Sequence, residues 1–260
     1  MMKEKITAVI MTFNSCEYVQ SAINSLLWCK EIIIIDDYSD DNIIAVANKN
    51  KIKLYKYHTH NDFSRARNYA LGKAKFEWIL FIDSDEFVTD SLKNEISQNI
   101  KNDLFDGYFL HRIDSWKGVY MQNKSKEVHK YGDNGNTYLI RLGRKNAGRW
   151  IGKVHEKWLI DGNVGKIESN LLHFPHKTVE LFVDHIDKYS KIHSQEKKNT
   201  NNIYLKILFF PLFKFLYMFF YLGGYKNGIQ GLIYAGMMSL HSFLSWTRLW
   251  FIKTGKIKYI

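Results

Sequence analysis

Trp78-Ile79-Leu80-Phe81-Ile82-Asp83-Ser84-Asp85-Glu86 is an apolar run that stops on three carboxylates. Five bulky uncharged residues suit a strand buried on both faces of a parallel sheet, and in open α/β sheets ligands gather beyond the carboxyl ends of such strands. Side chains alternate along an extended chain, so Asp83 and Asp85 project to one side with Cα atoms roughly 7 Å apart. Two carboxylates so placed can hold one hard divalent cation and leave its other positions to water and phosphate oxygens. Alone, Asp-x-Asp also describes an acidic loop capping the next helix, and the choice rests on what accompanies it.

Upstream, Glu31-Ile32-Ile33-Ile34-Ile35-Asp36-Asp37-Tyr38-Ser39-Asp40-Asp41 has the same form, four β-branched residues ending in acids and turn formers. Two buried strands therefore deliver carboxylates to one rim. Thr12-Phe13-Asn14 ends a first strand, and Asn61-Asp62-Phe63-Ser64-Arg65-Ala66-Arg67-Asn68 lies between. With these stretches the first third resembles the family 2 nucleotide-sugar glycosyltransferases. The resemblance implies the GT-A fold, an α/β architecture with a mainly parallel central sheet, and Asp83-Ser84-Asp85 matches the family's Asp-x-Asp position. It further implies a divalent metal, Mg²⁺ or Mn²⁺, on Asp85 and Asp83. Asp37 would meet the nucleoside, Asp83 the ribose or the metal, and Asp85 the metal and diphosphate. Thr12, Asn14 and Arg67 fall in the same donor site, Arg67 in a diphosphate or ribose role.

The 260 residues, 46% hydrophobic, can form one large domain or one domain with an appendage. Lys5–Phe13 reads as the first strand. Asn14 with Glu17 reads as a capping box for a helix whose inner face is Val19, Ala22, Ile23, Leu26 and Leu27. Helix Ile43–Ala47, strand Ile52–Tyr57 and a helix from a Ser64 cap to about Lys73 follow. After the central run, Thr89 or Asp90 caps a helix, and Gly107–Ile113 and Thr137–Leu142 read as strands. The aperiodic loop between them, Ser115–Asn136, is assigned to the acceptor by resemblance only. Cys16 and Cys29 flank the first helix, about 20 Å apart, too far for a disulfide. Plain thiols and a short apolar start fit a cytoplasmic location.

Further on, Ile151-Gly152-Lys153-Val154-His155-Glu156-Lys157-Trp158 lacks the second His of a zincin. The stretch resembles the Val-His-Glu segment of the lipopolysaccharide inner-core glucosyltransferase subfamily, where the acid lies near the acceptor hydroxyl. Inverting transfer needs a group to take that hydroxyl's proton; by this resemblance Glu156 is the first choice and His155 the second. His173, in Leu171-Leu172-His173-Phe174-Pro175-His176, is a candidate third metal ligand on the same footing. Thr178 then caps a helix with Val179, Phe182, Val183, Ile186 and Ser190 on one side.

Residues 191–260 hold ten Lys/Arg and one acid, nine of the eleven net positive charges. Nucleic acid and anionic membrane both attract such a segment, but the long apolar stretches among the charges favour membrane. Ile203–Leu222 has the length of a span, yet Lys206, Pro211 and Lys214 interrupt it, which fits a helix lying in the interface. Gly223–Leu232 reads as a Gly-rich hinge before a second apolar helix to Ile252. The expectation is a catalytic domain over 1–195 and a basic, apolar helical region over 196–260 that associates with the inner face of the plasma membrane. It would be an inverting glycosyltransferase using a nucleotide-diphosphate sugar, a UDP-sugar, and a membrane-associated glycolipid or oligosaccharide acceptor such as lipopolysaccharide core. Nucleic acid is not an expected partner. A polyprenyl-phosphate transferase, or a non-catalytic membrane-surface or nucleic-acid-binding protein on the same fold, are the rivals.

Overall fold

The computed structural model describes residues 3–60, 62–116, 119–120, 137–153, 156–174, 178–196 and 200–255. His155, Asn61 and most of the Ser115–Asn136 loop lie outside the described residues. The chain opens β1 (Glu4–Thr12), α1 (Cys16–Ser25), β2 (Cys29–Asp36), α2 (Ile43–Lys49), β3 (Lys53–Lys56), α3 (Phe63–Lys73) and β4 (Trp78–Asp83). It continues β5 (Glu86–Val88), α4 (Asp90–Asn99), β6 (Gly107–Trp116), β7 (Val119–Tyr120), β8 (Thr137–Arg144), β9 (Gly148–Ile151), β10 (Lys157–Ile160) and β11 (Val164–His173). Three long helices follow, α5 (Val179–Glu196), α6 (Ile203–Leu216) and α7 (Gly228–Lys253).

One sheet runs β3-β2-β1-β4-β8-β6-β11-β5, with β7 attached to β6. β3, β2, β1 and β4 are mutually parallel, whereas β8 joins β4 antiparallel and β6 joins β8 likewise. The parallel half therefore ends Thr12, Asp36 and Asp83 along one rim, while β8 returns across it. The strands β1, β2 and β4 are buried on both faces, as their unbroken apolar runs require. Ile6, Ala8, Ile10, Ile34, Leu80 and Ile82 pack with α1 and α4, and the alternate residues Val9, Ile33, Ile35, Ile79 and Phe81 pack with α3, Trp150 and Trp158. β9 and β10 form a separate antiparallel hairpin that the sequence reading did not anticipate.

Several local expectations are corrected. The Asn14–Glu17 capping box does not form: Ser15 is the N-cap residue and makes no side-chain cap bond, while Asn14 takes a left-handed φ of 46°. Its side chain is used elsewhere, Oδ1 accepting from the amide of Asp40 at 2.9 Å. Asp62, not Ser64, caps α3, accepting from the Arg65 amide, and Ser64 donates its hydroxyl to Asp62. Leu27 faces solvent, because α1 has already ended at Ser25. Thr89 caps α4 as read, accepting from the Leu92 amide. Val179 and Val183 are exposed while Phe182, Ile186 and Ser190 are buried. The Gly-rich hinge is shorter than read: a 3-10 turn covers Gly224–Asn227 and α7 starts at Gly228.

The chain divides into two compact units, Met1–Ile113 with Val128–His173, and Asp114–Glu127 with Phe174–Ile260. This division falls earlier than a boundary at 195. The reason lies in α5, whose Phe182 and Ile186 share a core with Met218, Leu222, Tyr234 and Ala235. In the second unit α6 and α7 pair as a hairpin, with Ile203 against Trp246 and Leu249, and a π-helical turn over Tyr217–Tyr221 extends α6.

Candidate active site

The rim is tied together before any substrate is considered. Met11 accepts from the Ser84 amide, and hydroxyls link Thr12 to Ser15 and Ser15 to Ser84, each at 2.9 Å. Asp36 accepts from the amide and hydroxyl of Ser39, whose Oγ in turn accepts from the Asn14 amide. Asp37, one residue past β2, accepts from three donors: the Thr59 amide (2.9 Å) and the His58 ring (3.0 Å) on Oδ1, and the Thr59 hydroxyl on Oδ2.

Asp83, Arg67 and Glu156 converge although they are far apart in sequence. The Arg67 guanidinium donates through Nη2 to Asp83 Oδ1 and through Nε to Glu156 Oε1, both at 2.8 Å. It is buried, stacked 4.7 Å from the Trp150 ring centroid and 5.5 Å from that of Phe81. Arg141 grips the other side of Asp83, Nη2 to Oδ2 at 2.6 Å and Nη1 to Oδ1 at 3.4 Å, and also reaches Glu86 at 3.4 Å. Glu86, fully buried, accepts from the Asp83 amide at 2.9 Å and has Arg112 within 3.6 Å. Three carboxylates thus face three guanidiniums, which is how buried charges are tolerated. Burial pushes the Asp83 carboxyl up, but the adjacent Arg141 and Arg67 outweigh it and hold it far below the usual carboxylate range. Burial likewise favours loss of the Arg141 proton, and Asp83 and Glu86 override that, pushing Arg141 up.

Asp85 stands outside this compensated network. The β11–β5 ladder sets His173 opposite Glu86, and His173 Nε2 comes within 3.2 Å of Asp85 Oδ2. Among the described residues no group of three or more His, Cys, Asp or Glu side chains gathers as a metal cage. A carboxylate oxygen and an imidazole nitrogen side by side are nevertheless donors that would together hold a divalent ion and supply it with part of its ligand set.

The structure brings together Arg67, Asp83 and Glu156 on one side and Asp85 with His173 on the other, with Thr12 linked through hydroxyls to Ser84. Asn14 and Asp37 lie along the same strand ends, at β1 and β2. Asn68, next to Arg67, instead holds β9: its side chain exchanges two hydrogen bonds of 2.9 Å with the backbone of Trp150. Sequence reasoning missed Glu86 and Arg141. The available signal for the latter was an arginine in the middle of Tyr138-Leu139-Ile140-Arg141-Leu142, since an arginine within an otherwise apolar strand must find a partner when buried.

A family model for glycosyl transferase family 2 matches residues 7–153. The chain is 26% identical to the lipopolysaccharide core biosynthesis glycosyltransferase LpsC of Rhizobium meliloti (strain 1021), over 94% of this chain and 91% of that one. It is 31% identical to the SPbeta prophage-derived glycosyltransferase SunS of Bacillus subtilis (strain 168), over 58% of this chain and about a third, 34%, of that longer one. The crystal structure of S. aureus TarS 1-349 in complex with UDP-GlcNAc aligns with a TM-score of 0.49 at 14% identity, covering 97% of this chain and 92% of that one.

Proposed function

The chain belongs to glycosyl transferase family 2, and on that premise we propose that it is an inverting enzyme carrying a sugar from a UDP-sugar to a membrane-held glycan of the lipopolysaccharide-core type. The observation that carries this reading is the single Arg67 guanidinium shared by Asp83 and Glu156, side chains contributed by β4 and by the segment entering β10. A donor-side carboxylate and an acid able to take a proton are thereby set on either side of one fixed cation. Similarity to LpsC along nearly the whole chain supports the acceptor class.

In this reading Asp37 meets the nucleobase. Asp83, fixed by two arginines, keeps one lone pair on Oδ2 for a ribose hydroxyl, with Thr12 and Asn14 shaping the rim beside it. Asp85 and His173 would hold Mg²⁺ or Mn²⁺, which supplies charge stabilisation for the departing diphosphate. Asp83 would add to that charge without being a necessary ligand. Glu156 Oε1 is engaged by Arg67, so Oε2 is the oxygen that receives the acceptor's proton as the hydroxyl attacks the anomeric carbon. His155 is the alternative base.

The C-terminal unit suits attachment to the inner face of the membrane. Ile203–Tyr221 is long and apolar enough to cross a bilayer by length and composition, and only 17% of it is buried. Tyr204, Leu208, Phe213 and Phe220 are among its exposed large side chains. Lys206 and Lys214 favour a helix lying in the interface with its lysines reaching the headgroups.

The test is turnover of a panel of nucleotide sugars by wild type and Asp85→Asn, each with Mg²⁺, Mn²⁺ or EDTA. Asp85→Asn should lose transfer with its melting temperature within a few degrees of wild type. Wild-type activity that persists in EDTA removes the metal from the scheme.

A further inference from the structure

Three loops at one corner of the rim carry a non-glycine residue with left-handed φ: Asn14 (46°) after β1, Tyr38 (57°) after β2 and His60 (48°) after β3. Such conformations persist only where surroundings over-determine them, and they gather at ligand sites. Here Tyr38 follows Asp37, His60 stacks on the His58 that meets it, and Asn14 bonds to Ser39 and Asp40 of the same loop. The His58 and His60 rings stack at 4.1 Å, Tyr38 leans on His58 at 5.7 Å, and Lys56 lies over the Tyr38 ring. The stack fixes the imidazole whose Nδ1 faces Asp37 Oδ1, and an Nδ1 facing a carboxylate oxygen must carry the proton.

An ionised carboxylate offers about four lone-pair positions, two on each oxygen. On Asp37, Oδ1 is filled by the Thr59 amide and His58, and Oδ2 is half filled by the Thr59 hydroxyl. One position on one oxygen remains. A uracil edge presents one N–H between two carbonyls and needs one acceptor. A guanine edge presents N1–H and N2–H side by side and needs both oxygens open. A cytosine ring nitrogen presents a lone pair that a carboxylate repels.

We propose that His58, by occupying Asp37 Oδ1, sets the nucleobase specificity of the site, reserving Asp37 for a single-donor base edge of the uracil type and excluding guanine. This rests on the reading of Asp37 as the nucleobase contact given above. Thr59 places one donor on each oxygen, so it is His58 that leaves Oδ2 as the open one.

The experiment is calorimetric titration of the full chain with UDP and with GDP in Mg²⁺, for wild type, His58→Phe, His58→Asn and Asp37→Asn. Wild type should bind UDP at least ten-fold tighter. His58→Phe keeps an aromatic ring for the stack but opens Oδ1, and the UDP:GDP preference should fall roughly ten-fold, through tighter GDP binding. His58→Asn returns an N–H donor and should restore the preference. If wild type binds GDP as well as UDP, or if His58→Phe leaves the ratio unchanged, the inference fails, and the Asp37 reading stands where Asp37→Asn still weakens UDP. Unchanged affinity for both nucleotides in Asp37→Asn overturns the Asp37 reading itself, and this inference with it.

Discussion

Glu156 and Asp83 share Arg67 yet are asked to do different things, and each is tested by its nearest isostere. Glu156→Gln keeps shape and can still accept a hydrogen bond, but cannot take a proton. We expect kcat to fall about 10²-fold or more with the donor KM near wild type; a mild effect, beside a severe one for His155→Ala, would move the base to the histidine. Asp83 carries a pH signature in stability. Its folded carboxyl lies below the unfolded value of about 3.9, so its contribution is complete above that pH and declines as pH falls through the depressed folded value. Denaturant midpoints of wild type and Asp83→Asn should therefore differ at pH 7 and draw together only below about pH 4; a gap independent of pH would mean that the ion pairs do not stabilise Asp83. Strand-end acids were legible because an apolar run announces where a buried strand stops. Arg141 and Glu86 were not, since their pairing joins β8 to the start of β5 across 55 residues and leaves no local pattern.

At the level of elements, the parallel half was readable from its β-branched and apolar runs, whereas the β9–β10 hairpin was not. Its strands have four residues each, and what holds them is tertiary: Trp150 and Trp158 stack at 5.4 Å and both meet the Phe81 ring edge-on. Helix starts were misassigned at Asn14 and Ser64 for a related reason, because a neighbouring loop or residue claimed the side chain that local spacing offered as a cap. The hairpin's other anchor is Asn68. Asn68→Ala removes both partners from the buried Trp150 backbone, at a cost of about 1–3 kcal/mol. Because Trp150 also covers Arg67, a displacement of about 1 Å there should lower kcat by up to 10²-fold. Thermal melts and single-turnover rates on one preparation check both; a full loss of stability with unchanged rate would uncouple the hairpin from the site.

For the molecule as a whole, the strand-end acids and the basic apolar tail are both visible in composition, whereas α5, whose helical pattern either unit could use, packs its Phe182 and Ile186 with the C-terminal helices. Removing residues 203–260 would strip Phe182 and Ile186 of their partners, so attachment to membranes is better tested by substitution. Lys206→Gln with Lys214→Gln should weaken binding to anionic vesicles by up to about 1 kcal/mol per charge and hardly affect neutral ones. Leu208→Glu and Phe213→Glu, on exposed positions, should weaken both. High salt should reproduce the lysine effect alone, since apolar burial is not screened. Protein that resists both salt and alkaline carbonate would make Ile203–Tyr221 a span.

The shared guanidinium has a consequence for how the chain is made. Asp83 leaves the ribosome 58 residues before Arg141, and Arg67 precedes Glu156 by 89. At about 5–20 residues per second, those 58 residues occupy roughly 3–12 s. Throughout that interval Asp83 has Arg67 available but not Arg141, and the later pair, Arg141 on β8 and then Glu156, brings one further charge of each sign to the cluster.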